Sequence, residues 1–303
     1  MCAKKVFRDR LGIPLDLKIR RRRLSSSSSE PQQSLKKQEL DEGPSCNASY
    51  DENNIPFLEA KELEDMMQGK VIGKGAYAHV HRITYKGKEA VLKVTYRTED
   101  EAREAFVREV RALVFLDGTG GAPRILARTD WSSAKLALVE EFCPGKTFRS
   151  WLRDPTITDV LIYKMLLQIA RQLEAIHMKN LIHNDIKGSN VIVDIPDNIE
   201  HFPRVHIIDF GLVREDGEYF RIFVNPDDNY YAPEVCKGSL CAPSSDVYCF
   251  GTLFRKALEK YVKDGVPEEI CAIAEVCNED DLYHRPPLEK VIEVLESHIA
   301  NMQ

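Results

Sequence analysis

Asp185, Lys187 and Asn190 fall within six positions of one another in the stretch His183-Asn184-Asp185-Ile186-Lys187-Gly188-Ser189-Asn190. Nineteen residues after Asn190, at the end of an apolar run, comes Asp209-Phe210-Gly211. A carboxylate, an ammonium and an amide this close together, with a second carboxylate downstream, suit phosphoryl transfer. The first carboxylate takes the proton of an attacking hydroxyl, and the ammonium steadies the charge on the moving group. The amide and the second carboxylate hold a magnesium ion.

Upstream lies a second set of residues that could meet a phosphate chain. Gly73 and Gly75 sit between two strand-like runs, and glycine lets backbone amides approach phosphates with no Cβ in the way. A glycine pair between strands is more often just a hairpin, and Ala78 stands where a third glycine would complete the pattern. Lys93 follows on the next strand-like run, and Glu109 comes sixteen residues later. A lone lysine of this kind is usually a surface residue. After a glycine-bearing hairpin and before a helix carrying Arg108-Glu109, an ion pair aiming the ammonium at phosphates is the better reading.

The elements that must position these groups are written in the apolar spacing. Val71-Ile72, residues 80–85 and residues 90–94 read as strands, the last two joined by the tight Lys86-Gly87-Lys88. Residues 99–116 switch to helical spacing, with Ala102, Ala105, Phe106, Val110 and Leu113 on one side. Leu136 to Val139 reads as a short buried strand. After Pro144-Gly145 the text is mostly helical, near 157–180, 245–261, 267–277 and 287–301. Strands first and helices afterwards predict an α+β chain with a small β-rich lobe, 63–142, and a larger helical one, 143–303.

Residues 1–60 read as a disordered basic, serine-rich tail. Arg20, Arg21, Arg22 and Arg23 precede Leu24 and the five serines Ser25 to Ser29, and such text buries too little to offset the entropy of ordering. Residues 1–37 hold eleven Lys/Arg against three Asp/Glu, so with −6 overall the rest of the 303-residue chain carries −14. An acidic globule is a poor candidate for nucleic acid. The arginine run resembles a signal for a nuclear-import receptor, and Arg22-Arg23-Leu24-Ser25 a basophilic kinase acceptor site; a solvated tail with no reader weighs equally. Eight cysteines include no C-x-x-C pair, which argues against zinc and for reduced thiols. No apolar run approaches the roughly 18 residues that span a bilayer. The expectation is a soluble, non-membrane chain of the cytoplasm, the nucleus or both.

Taken together, the motifs resemble the eukaryotic protein kinase superfamily over about three-quarters of the chain. Ala232-Pro233-Glu234 ends the segment after Asp209, Asp246-Val247-Tyr248-x-Phe250-Gly251 opens a helix, and Arg285 stands where the family's arginine pairs with the glutamate of that Ala-Pro-Glu. The resemblance implies a two-lobed kinase fold using ATP and Mg2+ on protein substrates. It implies Asp185 as catalytic base, Lys187 at the γ-phosphate, the Lys93–Glu109 pair at the α/β-phosphates, and Asn190 with Asp209 on magnesium. Ile72, Gly73, Gly75, Val80, Val91, Glu141, Cys143 and Ile192 would line the nucleotide site with Lys93 and Asp209. Phe210, His183 and Leu113 would stack as an apolar spine. Lys187 two positions after the aspartate is the serine/threonine form.

Several positions depart from the family. Asn184 replaces the arginine that usually precedes the catalytic aspartate, and residues 212–230 contain no serine or threonine. Switching by Ser/Thr phosphorylation of that loop is therefore not expected. Glu140 aligns with the gatekeeper behind adenine, where burying a carboxylate costs several kcal/mol unless it is paired or protonated. Val91 stands where alanine is commonest. Asp227 takes the place of a threonine whose hydroxyl contacts Asp185 and Lys187, so those contacts are lost or changed. The Asp227-Asp228 pair would suit a basic substrate, or would simply be solvated. Besides a Ser/Thr protein kinase, a pseudokinase or scaffold, a small-molecule phosphotransferase and tyrosine specificity stay open.

Overall fold

The computed structural model describes residues 55–75, 78–96, 99–196, 202–220, 230–262 and 265–302. The expectations placed on Arg20 to Arg23, on Ser25 and on Asp227-Asp228 lie outside these residues.

Packed chain begins earlier than the tail boundary read at residue 60. Leu58 N–H donates to the Arg128 carbonyl and Arg128 N–H donates to Pro56 O. Leu58 is buried in the outer apolar cluster of the sheet, so this short run is anchored by pairing as well as by burial. Helix α1 (Ala60–Met66) leads into strands β1 (Lys70–Lys74), β2 (Ala78–Tyr85) and β3 (Lys88–Thr95). Lys86 and Gly87 join the last two with positive φ at both positions, the backbone that a two-residue hairpin turn needs. Helix α2 (Asp100–Leu116) follows, with Asp100 and Glu101 in its first turn where the helix dipole favours negative charge.

Strands β4 (Ile125–Arg128) and β5 (Ala137–Glu141) complete an antiparallel sheet in the order β1-β2-β3-β5-β4. Its two faces are unlike. Ala90, Leu92 and Val94 of β3 join Ala137 and Val139 of β5 in the outer cluster with Leu58, Leu63, Ile83 and Tyr85. The opposite face carries Val91 and Lys93. Direct cross-strand partners share a face, and the register pairs Val91 with Glu140 and Lys93 with Leu138 and Val80. This second face looks inward, and Leu138 belongs to the main core with Phe106, Val110 and Leu113 of α2.

The second part of the chain is helical. After β6 (Lys146–Thr147) come α3 (Phe148–Trp151) and α4 (Asp159–His177). The short strands β7 (Leu181–Ile182), β8 (Val191–Asp194), β9 (Arg204–Ile207) and β10 (Arg214–Glu215) form a β6-β8-β9 sheet and a β7-β10 pair. Helices α5 (Pro233–Cys236), α6 (Pro243–Tyr261), α7 (Glu268–Cys277) and α8 (Leu288–Asn301) finish it. Ile162, Leu166, Ile169 and Leu173 of α4, Phe250 and Phe254 of α6, and Val291 and Leu295 of α8 share one buried core. The architecture is the α+β, two-lobed one expected. No helix among the described residues is long and apolar enough to cross a membrane.

Candidate active site

The upper wall of the site is built on the inward face of the sheet. Lys93 Nζ on β3 donates to Glu109 Oε1 on α2 at 2.6 Å, and both side chains are almost fully buried. Helix α2 is tied in turn to the segment after β9. Phe210 N–H donates to Glu109 Oε1 at 3.3 Å, and Arg108 Nη1 donates to the Gly211 carbonyl at 3.2 Å. Glu140, on β5, also faces Lys93, with 3.3 Å between Oε1 and Nζ, and is only 3% exposed. Burial pushes the Glu140 carboxyl up to about 7, since the nearby ammonium only partly restores the charged form. Burial alone would lower the Lys93 ammonium, yet Glu109, Glu140 and Asp209 together raise it above its ordinary value. The buried carboxylate expected at this position is therefore present, and it is paired on one oxygen.

The lower wall is the loop from His183 to Asn190. It is hung from Asp246, a fully buried carboxylate in the first turn of α6. Asp246 accepts from the N–H groups of His183 and Asn184 at 2.8 and 2.7 Å, and lies 3.0 Å from His177 Nε2. Asn184 has φ 62°, a left-handed backbone that asparagine tolerates better than most residues. Its buried amide donates to the Ile182 and Leu212 carbonyls, which ties the loop to the segment after Asp209. In this loop the position that departs from the family does structural work.

Asp185 is surrounded by donors. Lys187 Nζ reaches its two oxygens at 2.9 and 2.7 Å, Asn190 Nδ2 donates to Oδ2 at 2.8 Å, and the Tyr231 hydroxyl donates to Oδ1 at 3.3 Å. Burial outweighs these neighbours and holds the Asp185 carboxyl above its ordinary value. Nδ2 of Asn190 is committed to Asp185, and its amide oxygen, which accepts from the Ser189 hydroxyl at 3.3 Å, keeps a second lone pair for a cation. Asp209, exposed and at φ 71°, projects from the end of the β9 run. Among the described residues no cluster of three or more His, Cys, Asp or Glu side chains forms a self-contained metal cage. Asn190 and Asp209 instead offer the few oxygen donors that suit a magnesium ion shared with phosphate oxygens.

The other residues singled out are distributed as follows. His183 and Phe210 are fully buried and meet edge to face at 4.8 Å, and Leu113 and Phe210 share the main core. Val80 and Val91 lie on the inward face of the sheet, while Ile192 lies on β8. Glu141 ends β5, and Cys143 follows close enough to Glu140 and Lys93 for their charges to act on its thiol. Ile72 is half exposed on β1, where Gly73 marks an irregularity in the register. A Cβ added at Gly73 or Gly75 would meet protein atoms no closer than 3.5 Å. The protein's own packing does not demand glycine there, which fits a backbone kept bare for a ligand.

Nothing in the sequence singles out Tyr231. Asp227 gave reason to expect a missing hydroxyl contact at Asp185, and Tyr231 provides one from four residues further along. Its ring stacks on Tyr230 at 4.5 Å, and the Lys187 ammonium lies 5.7 Å from the Tyr230 ring centre. Glu234 and Arg285, expected to pair, form a buried bidentate bridge at 2.6 and 2.8 Å. Arg285 also donates to the carbonyls of Ser244, Glu279 and Asp280.

A small sheet over a helical body, with one cation-centred and one carboxylate-centred cluster between them, is the layout of the protein-kinase fold. Residues 66–284 match the protein kinase domain family, well over half the chain, and the chain belongs to that family. It is 28% identical over 202 residues to a probable serine/threonine-protein kinase of Dictyostelium discoideum, covering 64% of this chain and 15% of that protein. Against mitogen-activated protein kinase kinase kinase 11 of Homo sapiens the identity is 28% over 211 residues, 67% of this chain and 25% of the relative. A mitogen-activated protein kinase kinase kinase of Drosophila melanogaster is 27% identical over 268 residues, 78% of this chain and 23% of the relative. The chain thus spans a quarter or less of each of these relatives.

Proposed function

We propose that this chain transfers the γ-phosphoryl group of Mg-ATP to serine or threonine hydroxyls of protein substrates. The observation that carries this reading is the state of Asp185: a buried carboxylate gripped by Lys187 and Asn190, with Asp209 nearby. Asp185 accepts the proton of the attacking hydroxyl as its oxygen bonds to phosphorus and the bond to the β-phosphate oxygen breaks, releasing ADP. Lys187, two positions away, steadies the charge spread over the transferred group. Lys93, fixed by Glu109, holds the α/β-phosphates, and the bare glycines of the β1–β2 turn leave room for backbone amides above them. Magnesium, when bound through Asn190 and Asp209, neutralises charge on the phosphate oxygens. Most of the rate would then come from positioning and charge neutralisation. Lys187 and the serine/threonine kinases among the relatives favour Ser/Thr over Tyr.

The test is a magnesium-dependent assay on the full chain with ATP labelled at the γ-phosphate, beside Asp209→Ala, with histone and casein as acceptors. Acceptor labelling in the wild type and none in the variant is expected, with phosphoserine or phosphothreonine in the hydrolysed product. A folded wild type that labels neither protein would count against the reading.

A further inference from the structure

We propose that Glu140 is a positioning residue for Lys93, a second carboxylate anchor that keeps the ammonium in place independently of helix α2. This rests on the phosphotransferase reading above, in which Lys93 holds phosphates.

The two anchors belong to different mechanical parts. Glu109 reaches Lys93 from a helix, across a helix-to-sheet interface, and it shares its Oε1 with the N–H of Phe210. Any shift of α2, or of the segment after Asp209 to which it is tied, displaces that carboxylate. Glu140 sits on β5, directly hydrogen-bonded to β3 over the register Ala90–Glu141 to Val94–Ala137. Its spacing from Lys93 is set inside one sheet and does not depend on α2.

The charges favour sharing. The groups acting on Glu140 are Lys93 from β3, Glu109 from α2 and Asp209 from the end of the β9 run, and Lys93 is the one cation among them. Cys143, following β5, feels its charge in turn. A buried ammonium left without a carboxylate is strongly destabilised, whereas one with a remaining partner is not. Loss of either glutamate alone should therefore be tolerated, and loss of both should not. Glu140 Oε2, buried and without a hydrogen-bond partner, is consistent with a side chain held by its other oxygen.

The experiment is a double-mutant cycle on the full chain: wild type, Glu109→Gln, Glu140→Gln and the double variant. Each is titrated calorimetrically with Mg-ATP at about pH 8, where a carboxyl raised to neutrality is ionised, and each is assayed for turnover. Glu109→Gln is expected to weaken Mg-ATP binding at least about tenfold more in the Glu140→Gln background than in the wild type, coupling of the size contacting residues show. Equal fold-losses in the two backgrounds would overturn the proposal. A purely structural Glu140 would lower the unfolding temperature without changing the dependence on Glu109. Glu140→Met, which keeps the volume, should reproduce the coupling and covers the case in which the glutamine variant does not fold. A wild type that binds Mg-ATP but labels no acceptor would overturn the phosphotransferase reading and still leave the binding cycle to decide on Glu140. A wild type that does not bind Mg-ATP would overturn both.

Discussion

Lys93 and Asp185 are the charges at the centres of the two clusters of the site, and the protein holds them in opposite ways. On the upper wall one ammonium faces two buried carboxylates, Glu109 and Glu140. On the lower wall one carboxylate receives donors from three side chains, Lys187, Asn190 and Tyr231. The upper cluster has negative charge to spare, and its surplus sits on a carboxyl that titrates near neutrality. The lower cluster has donors to spare, and the longest of these bonds, at 3.3 Å, is the one from Tyr231. The difference separates two tasks. On the proposed reading, a phosphate-holding cation must not move, and two carboxylate partners would secure that. On the same reading, a base must be kept charged and in place until it takes the proton, and several donors to one carboxylate would do that.

The sharpest way to break this contrast is to remove the base. Asp185→Asn keeps the shape but cannot take the proton, and general-base losses run to about a hundredfold to ten-thousandfold in kcat. Mg-ATP affinity should fall far less than turnover. Turnover at the wild-type rate would show that Asp185 is not the base.

Glu234 and Arg285 supply a third arrangement, one cation to one carboxylate with neither charge in surplus. Arg285 is fully buried in its side chain and also satisfies three backbone carbonyls. Arg285→Ala leaves Glu234 buried and unpaired, which costs about 3–5 kcal/mol in such pairs. The exposed bridge between Arg171 and Glu296, which joins α4 to α8, should cost at most about 1 kcal/mol when broken. Denaturant midpoints of the two alanine variants measure both, and comparable losses would mean that burial does not set the difference.

How much of this could be read from the chain differs between local and distant relations. The β1–β3 meander, α2 and the long helices of the second lobe follow from apolar spacing and turn residues, all within a few positions of each other. Strand β4 is hard to read in the sequence because it ends on Arg128, a residue type that is usually exposed; its guanidinium is buried between the rings of Phe57 and Trp131 at 4.7 and 4.1 Å. The carboxylate of Glu140 stood out as an oddity, but its partner lies on another strand, 47 positions earlier. Tyr231 carries no signal at all, since its hydroxyl meets Asp185, 46 positions earlier, only once the chain between them has folded back. Element types are written locally; which side chain completes a polar cluster is decided by packing.

The surplus on the upper wall has a signature in stability. Folding raises the Glu140 carboxyl from about 4.5 to about 7, because burial disfavours its charge more than Lys93 restores it. Between those values the folded state holds a proton that the unfolded chain has released. This contribution to stability is thus complete at acid pH and is lost as pH rises through about 7, with a slope of at most about 1.4 kcal/mol per pH unit for one proton. Glu140→Gln should flatten that fall in thermal unfolding measured from about pH 5 to about pH 8. A slope unchanged by the substitution would mean that Glu140 titrates normally.

Tyr231→Phe tests the most distant of the three donors. The ring and its stacking on Tyr230 stay, and only the 3.3 Å bond to Asp185 Oδ1 goes. Burial and the adjacent carboxylate both raise the hydroxyl's pKa, so it remains a donor throughout the accessible range. A bond of this kind contributes about 0.5–1.5 kcal/mol, which sets the expected loss in kcat/KM for the protein acceptor at about twofold to twelvefold. The pH profile is the more discriminating readout. A donor to the charged form of Asp185 lowers its pKa, so removing that donor should raise it further, moving the acid limb of kcat/KM to higher pH. Lys93 and its two glutamates are untouched, so the KM for Mg-ATP should stay as it was. If the variant instead turns over faster with its acid limb unmoved, the hydroxyl is an obstacle to substrate on Asp185 and not a support for it.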